Sequence, residues 1–219
     1  MTALLIRELI VAARRAAVPL TSLLILVLLT AFVLVWSPGV NVLAPMNLYE
    51  QARALHWLLL ATMLPWAAVR CSPRDRGDAG VVTIAFLGLQ PSSAIATKVL
   101  ASSVILSAIV LTGVPGLVMA QQAAAASMTQ VIADLVPLLG LVILAAASAT
   151  AAILYTADGL RAWLWTWSSV AAILGAAVYW TMDLSSAGVA CAVAGGGVIL
   201  CLQATAGTLL TYLGGADAG

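Results

Sequence analysis

Side chains able to do chemistry are few. Three cysteines, Cys71, Cys191 and Cys201, and one histidine, His56, are the only sulfur or imidazole ligands in 219 residues. Their spacings fit neither a zinc site nor a disulfide framework. His56 precedes Trp57 in an apolar run, where a lone histidine reads as a satisfied structural group rather than a base. No Gly-x-Ser-Gly element marks an intramembrane serine hydrolase. The phosphate-binding pattern GxxxxGK[ST] is also absent, since the one lysine, Lys98, follows Thr97 with no glycine-rich turn before it. The residues therefore predict no catalytic centre, no metal site, no cofactor and no ATP hydrolysis by this chain alone.

Two further groups invite a functional reading. Trp163, Trp165 and Trp167 could face haem, but no pair of histidines exists to ligate iron, and the run follows Arg161 at an expected membrane boundary. Interfacial anchoring is the stronger reading. Glu50 and Arg53 stand three residues apart on one helix face and are expected to pair at the membrane rim. Asp134, Asp158 and Asp183 fall at segment ends. The residues thus place no ionisable group at the bilayer midplane, where an ion-coupled carrier needs one.

The elements that must position these residues follow from composition. The chain is 63% hydrophobic and 8% charged, with mean hydropathy +1.13, whereas a soluble domain carries about 25% charged residues. A soluble enzyme is excluded. A net charge of +1 leaves no electrostatic footprint for nucleic acid. The gaps between charges admit six crossings of about 20 residues each, expected at 17–36, 47–69, 99–120, 132–156, 162–181 and 187–213. The fold class is an all-α integral membrane protein, a single transmembrane domain over 1–219. The first apolar stretch is too long for a signal-peptide core, and no small-x-small cleavage site follows Trp36.

Segment 79–97 decides the topology. Its apolar run, Val81 to Leu89, is nine residues long and closes on Gln90-Pro91-Ser92-Ser93, too short to span. With six spans and a cytoplasmic N-terminus, Arg7, Arg14, Arg15, Arg70, Arg74, Arg76, Lys98 and Arg161 lie inside and only Arg53 outside, eight against one; a seventh crossing degrades this to six against three. Both termini are expected in the cytoplasm.

Residues 3–15 form an expected amphipathic surface helix, with Arg7, Glu8, Arg14 and Arg15 on one arc and Leu5, Ile6, Leu9, Ile10, Ala12 and Ala13 opposite. Residues 70–98 form an expected cytoplasmic loop: a charged turn, Arg74-Asp75-Arg76-Gly77-Asp78, then a short lateral helix able to receive force from a soluble partner. Ala145, Ser148, Ala149 and Ala152 on span four, and Gly188, Gly195, Gly196 and Gly197 on span six, suit close helix packing. Gly113, Pro115 and Gly116 predict a kink in span three.

This order of features resembles the ABC-2-type transporter permeases: an interfacial helix with Arg7-Glu8, two spans, the patch Arg74-Asp75-Arg76-Gly77, a short apolar helix, then Pro91-Ser92-Ser93 running to Lys98 at the third span. Length and layout are also similar to the haem-exporter-like permeases of cytochrome c maturation. The resemblance covers nearly the whole chain. It implies a permease, an exporter, that moves substrate with a separate ATPase subunit binding the ATP. A second permease copy or a paralogue would complete the pathway in the inner (plasma) membrane, among membrane lipid. Within the resemblance, Arg74, Asp75, Arg76, Gly77 and Asp78 couple to the ATPase. The alternatives are a cytochrome-maturation permease and a non-transporting structural or assembly subunit. The absence of charge along the spans fits an amphipathic or lipid-like cargo.

Overall fold

A computed structural model describes residues 2–36, 48–71, 91–124, 127–156, 159–181 and 184–215. Among these residues the chain is helical apart from short turns such as 14–16 and 112–113, without a strand. The helices are α1 (Thr2–Ala13), α2 (Ala17–Trp36), α3 (Leu48–Cys71), α4 (Pro91–Leu111), α5 (Val114–Ala124), α6 (Met128–Tyr155), α7 (Gly159–Thr181) and α8 (Leu184–Gly215). Six stretches of the described residues are long and apolar enough to cross a bilayer, with α4 and α5 together forming the third. The chain is a multi-pass membrane protein.

Burial shows which face of each apolar helix meets its neighbours. On α2 only Ala17, Thr21, Ile25, Leu29 and Val33 are buried, one residue per turn, while Leu20, Leu23, Val27 and Val35 point outward. A water-facing helix would bury its leucines; α2 displays them, as lipid permits. α3 and α6 are the opposite case. Each lies at the centre of the bundle and touches most other spans, and every residue from Leu144 to Ala152 of α6 is buried. Small side chains let neighbours approach α6 from every side. Within lipid a hydroxyl is best satisfied by an internal acceptor: Thr21, Thr97, Thr150 and Thr166 all donate to the carbonyl one turn earlier, at 2.6–2.8 Å, whereas the buried Ser148 hydroxyl has no hydrogen-bond partner.

Cross-helix registers fix the directions. Pro137 meets Gly188, Leu144 meets Gly195 and Tyr155 meets Thr205, so α6 and α8 run parallel, and α7 returns between them. His56, early in α3, meets Gly113, late in the third span, so these two are antiparallel. Successive spans alternate.

The third span differs from expectation at its start. The helix begins at Pro91, and Pro91 to Lys98 are its first turns rather than the tail of a loop. Proline is well suited to a first helical position because it has no N–H to leave unbonded. Arg70 and Cys71 likewise finish α3. Of the expected coupling segment 70–98, residues 72–90 lie outside the described residues.

Candidate functional site

The described polar side chains gather in three places. The first is a network between the starts of α3 and α6. Tyr49 Oη donates to Asp134 Oδ2 at 2.7 Å, Arg53 Nη1 donates to Asp134 Oδ1 at 3.1 Å, and Arg53 Nη2 lies 2.6 Å from Glu50 Oε2. The expected Glu50–Arg53 pair forms, and Asp134 and Tyr49 join it from positions that carried no sequence signal. Tyr49, Glu50 and Arg53 occupy the first two turns of α3, and Asp134 the second turn of α6. One guanidinium held by two carboxylates carries no net positive charge outward. The arginine that is the exception to the charge count is thereby neutralised. Arg53 Nε is buried with no hydrogen-bond partner, so the guanidinium depends on its two carboxylates.

The second place is the break in the third span. α4 ends at Leu111 and α5 starts at Val114. Across the gap the Thr112 N–H donates to Ile109 O at 3.1 Å and the Gly113 N–H to Val110 O at 3.2 Å, three residues back instead of four. Pro115 has no N–H to continue the ladder. His56 of α3, 1% exposed, fills the step: its imidazole hydrogen-bonds the Val110 backbone, and its Nε2, which has no hydrogen-bond partner, lies against Gly113. A Cβ on Gly113 would overlap this ring, 2.6 Å from Cδ2 and 2.9 Å from Cε1. His56 is thus a wedge at a discontinuity. No group of three or more His, Cys, Asp and Glu close enough to hold a metal occurs among the described residues.

The third place is the α1 end of the bundle. α1 packs on α4 and touches α3. The expected division of α1 by polarity is not its division by burial. Glu8 (3% exposed) and Ala12 face the bundle, whereas Ile6 and Ile10 face outward beside the exposed Arg7 and Arg14. Apolar residues can satisfy themselves in lipid as well as in protein, so polarity alone did not choose the inner face.

The remaining expectations divide. Ala145, Ser148, Ala149 and Ala152 are all buried. Gly188 and Gly195 meet α6 at contact distances no side chain could share, and Gly140 of α6 faces the Gly188 carbonyl. Gly196 and Gly197 instead face open space, because only one stripe of α8 can touch α6. Trp165 and Trp167 are exposed, as anchors in lipid would be, while Trp163 packs against the core. Arg74, Asp75, Arg76, Gly77 and Asp78 lie outside the described residues. Two apolar grooves, of about 600 and 550 Å³, run along the outer face of α6 beside α4 and α8 and share Leu139 and Ile143. No ionisable side chain lines either. No protein family, no characterised protein and no solved structure matches the chain.

Proposed function

We propose that the chain is the membrane-spanning permease subunit of an ATP-driven transporter of the ABC-2 type, an exporter energised by a separate ATPase. The observation that carries this reading is the arrangement at the α1 end. α3 ends there at Cys71 and α4 begins after the charged 72–90 connection, with α1 lying against both. A soluble motor acting on that connection moves the ends of two helices that run to the far side. There α3 is tied to α6 by Arg53 and Asp134 and to the broken third span by His56. Force applied at one end thus has a continuous packed path to the other. In this reading both termini are cytoplasmic, the membrane is the plasma membrane, and Arg74, Asp75, Arg76, Gly77 and Asp78 meet the ATPase. A second copy or a paralogue completes the pathway, and the uncharged grooves suit an amphipathic or lipid-like cargo.

The test co-expresses the chain with a candidate ABC ATPase that carries the phosphate-binding pattern GxxxxGK[ST]. The isolated chain is expected to show no ATP turnover above a contaminant control, and the complex to show it. Asp75→Arg with Arg76→Glu is expected to reduce co-purification of the ATPase, whereas Asp183→Arg leaves it unchanged. Equal effects at the two sites would make 72–90 a solvated connector and remove the coupling role.

A further inference from the structure

The face of α1 that looks away from the bundle is unusual in what it omits. Four charged side chains precede residue 50, Arg7, Glu8, Arg14 and Arg15; the one acid is turned inward and buried while the three arginines are exposed. Arg70, at the end of α3, is exposed as well. Its guanidinium carbon sits 5.9 Å from the centre of the Trp66 ring, at the end of the helix that α1 touches. Among the described residues, the charged side chains exposed at this corner are therefore all cationic. On the same arc of α1, Ile6 and Ile10 are 52% and 47% exposed. Guanidinium groups ask for water or anions and isoleucines ask for hydrocarbon. A helix that shows both along one arc fits the level of the phospholipid headgroups, where its apolar residues reach acyl chains and its cations reach phosphates.

We propose that the outward face of α1 and the turn that follows it, with Arg7, Arg14 and Arg15 joined by Arg70, is a seat selective for anionic phospholipid headgroups. Two features separate this from a helix that merely rests on any bilayer. Burial of Glu8 removes the one acid that the described residues of the α1 region could set against a lipid phosphate at this face. Exposure of Ile6 and Ile10 places the arginines at headgroup depth, where attraction is strongest and falls off within a Debye length. Arginine also takes phosphate oxygens through two parallel N–H donors, a geometry that a zwitterionic lipid's own ammonium opposes. The proposal does not rest on the transporter reading; it holds for any membrane protein with this corner.

The experiment uses the purified full chain in detergent with equimolar phosphatidylglycerol and phosphatidylcholine of matched acyl chains, and counts bound lipids by native mass spectrometry. Each cation near an anionic surface is worth about fivefold in partition, so phosphatidylglycerol is expected to be retained at least tenfold over phosphatidylcholine. The variant with Arg7→Gln, Arg14→Gln and Arg15→Gln is expected to lose most of that preference, and the matching variant with lysine at the three positions to keep most of it. The unmodified chain provides a readout that no folding defect can confuse. Its thermal midpoint is expected to rise with phosphatidylglycerol and not with glycerol phosphate, and the rise to shrink when salt reaches about 0.5 M, where screening acts over roughly 4 Å. Equal retention of the two lipids, an unchanged preference in the glutamine variant, or an equal effect of glycerol phosphate would overturn the proposal and leave this face to water or a protein partner.

Discussion

At the scale of single residues, the most consequential charge is Asp134. It accepts from Tyr49 and Arg53 at once, and the arginine's remaining Nε is buried with no hydrogen-bond partner. A guanidinium so placed depends on its carboxylates, because removing one partner strands charge and hydrogen-bonding capacity together. Asp134→Ala is expected to lower stability by about 1–3 kcal/mol, and Asp134→Asn, which keeps an acceptor for the tyrosine, by less. The pair with Arg53 gives the sharper readout. Arg53→Ala combined with Asp134→Ala should cost clearly less than the two single changes added, measured as thermal midpoints in detergent. Strict additivity would show that the two side chains are near each other without being coupled. Neither Tyr49 nor Asp134 was legible as part of this network in the sequence. Glu50 and Arg53 announce themselves by their three-residue spacing, but a bond between helices 81 residues apart in the chain leaves no periodicity to read.

At the scale of elements, glycines set how near two helices can come, and they make opposite predictions at different positions. Gly113→Ala drives a methyl into the His56 ring, and the ring cannot retreat because it is buried on all sides. The variant is expected to be destabilised by about 1–3 kcal/mol. Adding His56→Ala should recover part of that loss, since it removes the atoms that clash. If His56→Ala worsens Gly113→Ala as much as it worsens the parent, the wedge is not what holds the break in the third span. Along α6 and α8 the same logic separates glycines that look alike in the sequence. Gly140→Ala meets the backbone carbonyl of Gly188 and should loosen the pair, whereas Gly196→Ala meets nothing within 4 Å and should be neutral or stabilising by up to about 1 kcal/mol through helix propensity. Comparable losses at both positions would mean that α8 is rotated from the orientation described. The number of spans and the region each occupies were legible, because charge gaps and a hydrocarbon layer of about 30 Å constrain them, but the third span begins at Pro91, within the expected loop. Their rotation was legible only in part: Ala145, Ala149, Gly188 and Gly195 face the helix packing and Gly196 and Gly197 do not. In a bilayer an apolar residue is at ease on either face, so the contrast that reveals the inner side of a soluble helix is missing. The same ambiguity hid the inward turn of Glu8 on α1.

At the scale of the whole molecule, the described crossings alternate and their number is even, which places α1 and the last turns of α8 at the same end of the bundle. That geometry leaves one binary choice, which end meets the cytoplasm, and the distribution of charge is what the proposed orientation rests on. At the α1 end stand Arg7, Arg14, Arg15 and Arg70, all exposed. At the opposite end the described arginine is Arg53, held by Glu50 and Asp134, so that end offers no net positive charge to resist translocation. Positively charged flanks are retained on the cytoplasmic side, and the neutralised network makes the asymmetry steeper than a count of basic residues alone. The prediction is tested by single cysteines placed at Ser37, Gln121, Asp78 and Ala218 in a background where Cys71, Cys191 and Cys201 are replaced by alanine. A membrane-impermeant maleimide added to intact cells is expected to label the first two positions, and to reach Asp78 and Ala218 only after the cells are opened. Arg53→Ala should leave this pattern unchanged, because Glu50 and Asp134 do not hold an end inside the cell. Adding exposed arginines beside Gln121, with no carboxylate to neutralise them, should by contrast produce a mixed population. Labelling of Ala218 from outside in the parent protein would reverse the orientation, and would move the cationic corner of α1 to the outer leaflet.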